Sequence, residues 1–192
     1  PLGISPKALA VISNPTDLNR YPDGNATKFK EKVSSVNNIK PSMVTVGNGS
    51  NDLIEFVAKC FLTEGDNAIY SQHGFAIYPL AIQAAGAKAI KAKAKNWGHD
   101  LSLMKELIDE NTKIIFLATP NNPTGTVIQT EEIKSFLKEV PSNISLFVDQ
   151  AYFEYLEDEK YKVPYELVKD FPNLIISRSF SKAHGLAAVS YT

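Results

Sequence analysis

The chain has 192 residues, 44% hydrophobic and 21% charged, with 20 Lys plus Arg against 21 Asp plus Glu and a formal net charge of -1. This composition excludes a disordered or fibrous chain, and the charge balance supplies no global field for nucleic acid or an anionic membrane. The length suffices for one sizeable core, or for one domain plus a fragment of another.

In chain order, residues 1–40 are rich in Asn, Pro and Ser, as in "SNPTDLNRYPDGNA", and read as a loop-rich lead-in. Residues 41–192 read as one larger domain. "SMVTV" reads as a short strand, and "GNGSNDLIEF" follows it. There Gly47 and Gly49 permit close backbone approach while Ser50, Asn51 and Asp52 open a helix, the chemistry of an anion held on helix N-terminal amides. The spacing matches neither a dinucleotide fingerprint nor a P-loop. The helical pattern "NDLIEFVAKCFL" contains the single cysteine, Cys60, which reads as a buried small hydrophobe. A lone cysteine forms no internal disulfide and fits a reducing compartment.

"NAIYS" (67–71) then reads as a strand and "YPLAIQAAG" as a helix closed by Gly86. "AKAIKA" (87–92) reads as an edge-type strand with its lysines outward. "LSLMKELIDE" is a helix with Asp100 as its N-cap, "KIIFLA" (113–118) a strand, and "TEEIKSFLKEV" a helix opening at Thr130 with acids in its first turn. "ISLFVD" (144–149) and "NLIIS" (173–177) complete the series. Strands alternating with helices predict an α/β fold, a mostly parallel sheet with helices on both faces. No stretch has the apolar length that spans a bilayer and no signal pattern opens the chain, so it reads as soluble and cytoplasmic.

Ligands of open α/β sheets bind beyond the carboxyl ends of the strands. After "KIIFLA", the irregular "TPNNPTG" leaves the Asn122 amide at a strand end. After "ISLFV", Asp149 ends an apolar run where a carboxylate needs a cation or several hydrogen bonds, or else acts as a helix N-cap; Tyr152 follows one turn on. After "NLII", the stretch "SRSFSKAHG" places Lys182 among Ser179, Ser181 and Ala183, either as a reactive amine or as a solvated surface lysine. Four segment ends thus offer an anion cradle, an amide, a carboxylate and an amine.

These pieces, in this order and spacing, resemble the fold-type I pyridoxal-phosphate aminotransferases, and "LNRYPDG", "GNGSND", "SQHGFAIYP", "WGHDL", "PNNPTGT", "VDQAYFEY" and "SRSFSKAHGLA" look like the histidinol-phosphate aminotransferase branch. The resemblance implies the large domain of a pyridoxal-phosphate-dependent transferase of the aspartate aminotransferase type. Lys182 would link to the cofactor aldehyde as a Schiff base and then shuttle the substrate proton, for which the amine must be deprotonated. Asp149 would pair with the ring nitrogen, Asn122 and Tyr152 would hydrogen-bond the phenolic oxygen, and Tyr78 would stack on the ring. The phosphate would lie on the amides of Ser50, Asn51 and Asp52 with the hydroxyls of Ser179 and Ser181. Tyr21 would reach the phosphate of a neighbouring subunit in a homodimer, and Asn122–Pro123 would be a cis peptide.

The implied reaction moves an amino group between histidinol phosphate, or a similar amine, and 2-oxoglutarate in histidine biosynthesis. Aromatic or other amino-acid aminotransferases, a related decarboxylase and a catalytically inactive cofactor-binding fragment are the alternatives. Two departures stand out. Ser190 occupies the position, eight residues after the lysine, where the family pattern has an arginine, and a hydroxyl does not replace a bidentate fork. Family members also start earlier and continue into a small C-terminal domain, so the chain reads as most of a large domain with that small domain absent. His73 and His99 read as structural hydrogen-bonding residues, His184 takes a position usually aromatic, and no side-chain spacing resembles a metal site.

Overall fold

The computed structural model describes residues 3–16 and 18–186. Every apolar run from "NAIYS" onward that reads as a strand forms one, to within a residue: β1 Asn67–Ser71, β2 Lys88–Ala92, β3 Thr112–Ala118, β4 Ser145–Asp149 and β5 Leu174–Ser177. They pair in parallel in the order β2-β1-β3-β4-β5. The helices are α1 Pro6–Ser13, α2 Thr27–Asn37, α3 Gly49–Phe61, α4 Ile77–Ala84, α5 Leu101–Glu106 and α6 Thr130–Glu139.

Side chains alternate along a strand, so β3 sends Ile114, Phe116 and Ala118 to one face and Ile115 and Leu117 to the other, all buried. The first face packs on Ile54 and Ala58 of α3 and on Ala81 and Ile82 of α4. The second packs on Met104 of α5 and on Ile133, Phe136 and Leu137 of α6. The chain steps one way along the sheet through α4 and the opposite way through α5 and α6. Right-handed crossovers therefore place these helices on opposite faces, and the reversal falls between β1 and β3. Lys88 and Lys91 stand exposed on β2, an edge strand as its pattern predicts.

Local punctuation follows from individual residues. Asp100 caps α5 by accepting from the Leu103 amide at 3.1 Å. Gly86, at φ +80°, ends α4, with the Ala87 amide donating to Ile82 O at 3.1 Å. The last turn of α5 stops short of the predicted Glu110. Asp109 accepts there from the Asn111 amide at 2.9 Å and the Asn67 amide group at 2.7 Å, drawing the backbone into a turn. Helix α6 opens at Thr130 as expected; its cap is Gln129, and Glu132 reaches back to accept from the Gln129 amide at 2.9 Å.

Three readings are corrected. "SMVTV" forms no strand: Pro41, which has no amide to give a ladder, opens a 3-10 turn over Pro41–Met43, and Val44 onward runs extended outside the sheet. The lead-in expected to be loop-rich carries α1 and α2, because Phe29, Val33 and Val36 recur at helical spacing and line a cavity of about 1030 Å³ beside β5. Cys60 is exposed rather than buried, since α3 turns Ile54 and Ala58 inward and the cysteine falls off that stripe. No helix among the described residues is long and apolar enough to cross a membrane.

Candidate functional site

The register aligns Ala118 of β3, Asp149 of β4 and Ser177 of β5 across the carboxyl edge of the sheet. Asp149 is 5% exposed. Its Oδ1 accepts from the Ala151 amide at 3.0 Å and the Ser177 hydroxyl at 3.1 Å, and its Oδ2 accepts from the Tyr78 hydroxyl at 3.0 Å. Burial pushes the carboxyl above its usual range, opposed by the Ala151, Tyr78 and Ser177 hydrogen bonds and by the charge of Lys182. The element that follows Asp149 is a 3-10 turn over Phe153–Tyr155, so the carboxylate closes a turn instead of capping a helix.

Lys182 leaves the segment after β5 and is exposed, with Nζ 5.7 Å from the centroid of the Tyr152 ring. Upstream, Ser179 is buried, its hydroxyl donating to Ser181 Oγ at 2.7 Å and accepting from the Ser181 amide at 3.1 Å. Asn122 and Tyr152 line one cavity of about 520 Å³ with Pro120, Pro123 and Tyr155. The Asn122–Pro123 peptide is cis, as is Thr119–Pro120.

Ser50, Asn51 and Asp52 occupy the first turn of α3. The Asp52 carboxylate accepts from the Asn48 amide at 2.9 Å, so part of that N-terminus is already satisfied by the chain itself. Gly47 is required there, because a Cβ would lie 2.8 Å from Cβ of Asp52. Tyr78 does not offer a free ring face. It is fully buried, stacked on Phe116 at 5.0 Å with its hydroxyl on Asp149, since the first turn of α4 points it into the core. Tyr21 is fully exposed among the described residues. Ser190 lies outside the described residues.

Several participants escaped the sequence reading. Ser177 meets Asp149 only through strand register, which a single sequence does not display. Asn121, 3% exposed, ties the ends of β1 and β3 by donating to His73 O at 2.9 Å and Thr124 Oγ1 at 2.8 Å. Phe75, half-buried, meets Tyr78 edge-on at 6.1 Å, and its place in "GFAIYP" is the one signal that could have singled it out. His99 is pushed down to about 4 by burial, its Nε2 2.9 Å from Ala118 O, a structural placement. His73 stacks on Trp97 at 4.9 Å, and His184 pairs with Glu154 at 3.3 Å.

A doubly wound parallel sheet with a buried carboxylate and a neighbouring amine at its carboxyl edge defines an α/β domain that seats a small polar ligand beyond its strands. Comparison with known proteins narrows the class. The profile of the aminotransferase class I and II family matches residues 6–192, and the chain belongs to that family. A protein named histidinol-phosphate aminotransferase 2 from Pseudomonas fluorescens is 47% identical over 190 residues, 98% of this chain and 51% of its own length. Among solved structures, histidinol-phosphate aminotransferase from Sinorhizobium meliloti in complex with pyridoxal-5'-phosphate superposes with a TM-score of 0.90 at 26% identity, over 97% of this chain and 51% of that one. L-threonine-O-3-phosphate decarboxylase from Porphyromonas gingivalis, at TM-score 0.79 and 22% identity over 92% of this chain and 51% of that one, shares the fold. The chain spans about half the length of the curated relatives it matches.

Proposed function

We propose that the chain supplies the cofactor-binding part of a pyridoxal-phosphate-dependent aminotransferase. It would move an amino group between histidinol phosphate and 2-oxoglutarate in histidine biosynthesis, in the cytoplasm and as a homodimer. On this reading residues 41–192 make up the large domain and residues 1–40 lead into it. The observation that carries the reading is the buried Asp149 carboxylate at the end of β4 within the field of Lys182, which lies in the segment after β5.

The donor set fits the cofactor. Desolvation penalises the charged form of the buried Asp149 carboxyl, and a protonated ring nitrogen would stabilise that form. Asn122 and Tyr152, facing one cavity, suit a phenolic oxygen. The amides of Ser50, Asn51 and Asp52, the hydroxyls of Ser179 and Ser181, and Tyr21 of a second copy suit the phosphate. Bound pyridoxal phosphate supplies an electron sink for negative charge on the substrate Cα. Lys182 holds and returns the proton at that carbon, and Tyr78 and Ser177 hold Asp149 in orientation. With Tyr78 committed to the core, Phe75 takes over the ring face.

Pyridoxal phosphate followed by borohydride is expected to leave a covalent adduct on Lys182 of the wild-type chain and none in Lys182→Ala, read by peptide mass spectrometry. An unmodified Lys182 overturns the reading. Amino transfer from histidinol phosphate but not from phenylalanine, with 2-oxoglutarate as acceptor, is expected for the full-length protein; the reverse preference overturns the substrate.

A further inference from the structure

Three segments meet behind the lysine, and one arginine touches all of them. Arg178 directly follows β5 and precedes the buried Ser179. Its guanidinium carbon lies 3.3 Å from the ring centroid of Phe153 and 4.1 Å from that of Tyr165. At those distances the guanidinium carbon lies over both rings. Nη2 donates to Val163 O at 3.4 Å. Nε is buried and finds no acceptor among the described residues, a penalty that a merely solvating arginine would not incur.

The same three segments are laced together by Gln150, fully buried. Its amide donates to Val163 O at 3.0 Å and accepts from Val163 N at 3.3 Å, while its backbone amide donates to Ser177 O at 2.9 Å. Glu154 and His184 also meet, with His184 Nε2 3.3 Å from Glu154 Oε1, joining the segment after β4 to the one after β5 a second time.

We propose that Arg178 is a positioning residue, a planar clamp lying over Phe153 and Tyr165 that holds the Ser179–Lys182 segment at a set distance from Asp149 and Tyr152. The role of Lys182 as the cofactor lysine, on which the importance of that spacing rests, comes from the preceding reading. The clamp works through shape as well as charge. Lysine would keep the cation but lose the planar contact with the rings, so Arg178→Lys fails to restore what Arg178→Met removes.

The test uses the cofactor-free chain below its unfolding temperature. Each lysine is labelled with trinitrobenzenesulfonate and its rate followed by mass spectrometry. The Lys182 rate is expected to change by about threefold or more in Arg178→Met and Arg178→Lys, with surface lysines such as Lys59 and Lys138 unaltered. Phe153→Leu, which removes one ring while keeping the arginine, is expected to give the same selective change and carries the test if the arginine variants do not fold. A lowered unfolding midpoint with an unaltered Lys182 rate overturns the clamp and leaves a purely structural arginine. Failure of the wild-type chain to form the borohydride adduct overturns the cofactor reading instead, and the labelling rates still decide the clamp.

Discussion

Asp149 is a carboxyl held by three donors and still disfavoured as an anion, because desolvation outweighs those hydrogen bonds. The direction sets a pH dependence. A carboxyl whose folded-state pKa is raised binds its proton more tightly folded than unfolded, so its contribution to stability is present below the ordinary carboxylate range and is lost as pH rises through the raised value. Asp149→Asn keeps acceptors for Ala151 and Ser177 without the charge. The cofactor-free variant is expected to match wild type near pH 4 and to unfold at a higher temperature near pH 7.5, by about 2–4 °C for each kcal/mol recovered. Scanning calorimetry at both pH values checks this, and an equal deficit for the variant at both would refute it. The position of Asp149 was legible from its place at the end of an apolar run. Its Tyr78 partner was not, because "FAIYP" does not say which way a helix will turn its first aromatic residue. Cys60 was misread for the same reason: an apolar neighbourhood in sequence does not fix which side of a helix a residue takes.

Among the elements, α6 shows how much a cap contributes. The amphipathic stripe Ile133, Phe136 and Leu137 drives the helix onto the sheet, while Glu132 satisfies the amide of Gln129 at its start. Replacing Glu132 with alanine leaves the buried stripe intact and is expected to cost about 0.3–1.5 kcal/mol in urea unfolding, with an unchanged slope. The strands were readable because short β-branched and apolar runs buried on both faces have few alternative folds. "SMVTV" has the same composition and stays outside the sheet: Pro41 just before it opens a 3-10 turn that takes in Ser42 and Met43. The helix α2 hid inside a polar segment because only its three apolar residues, Phe29, Val33 and Val36, repeat at helical spacing.

For the whole molecule, the β2 edge of the sheet matters. Lys88 and Lys91 put charge along β2, where bare backbone would template pairing with another copy. Replacing both with valine is expected to drive concentration-dependent association in light scattering while the wild-type chain stays dispersed under the same conditions. Composition, the order of strands and helices and the residues at the strand ends were determined by the sequence alone, because hydrophobic period and cap chemistry act over a few residues. The motifs around those residues carried the resemblance to the family, and the family profile that matches residues 6–192 established it. The strand order, the alignment of Ala118, Asp149 and Ser177, the burial of Tyr78 and the contacts of Arg178 with Phe153 and Tyr165 were decided only by tertiary structure. Each of these joins residues far apart in the chain, and which of them meet depends on how the sheet and its helices pack together.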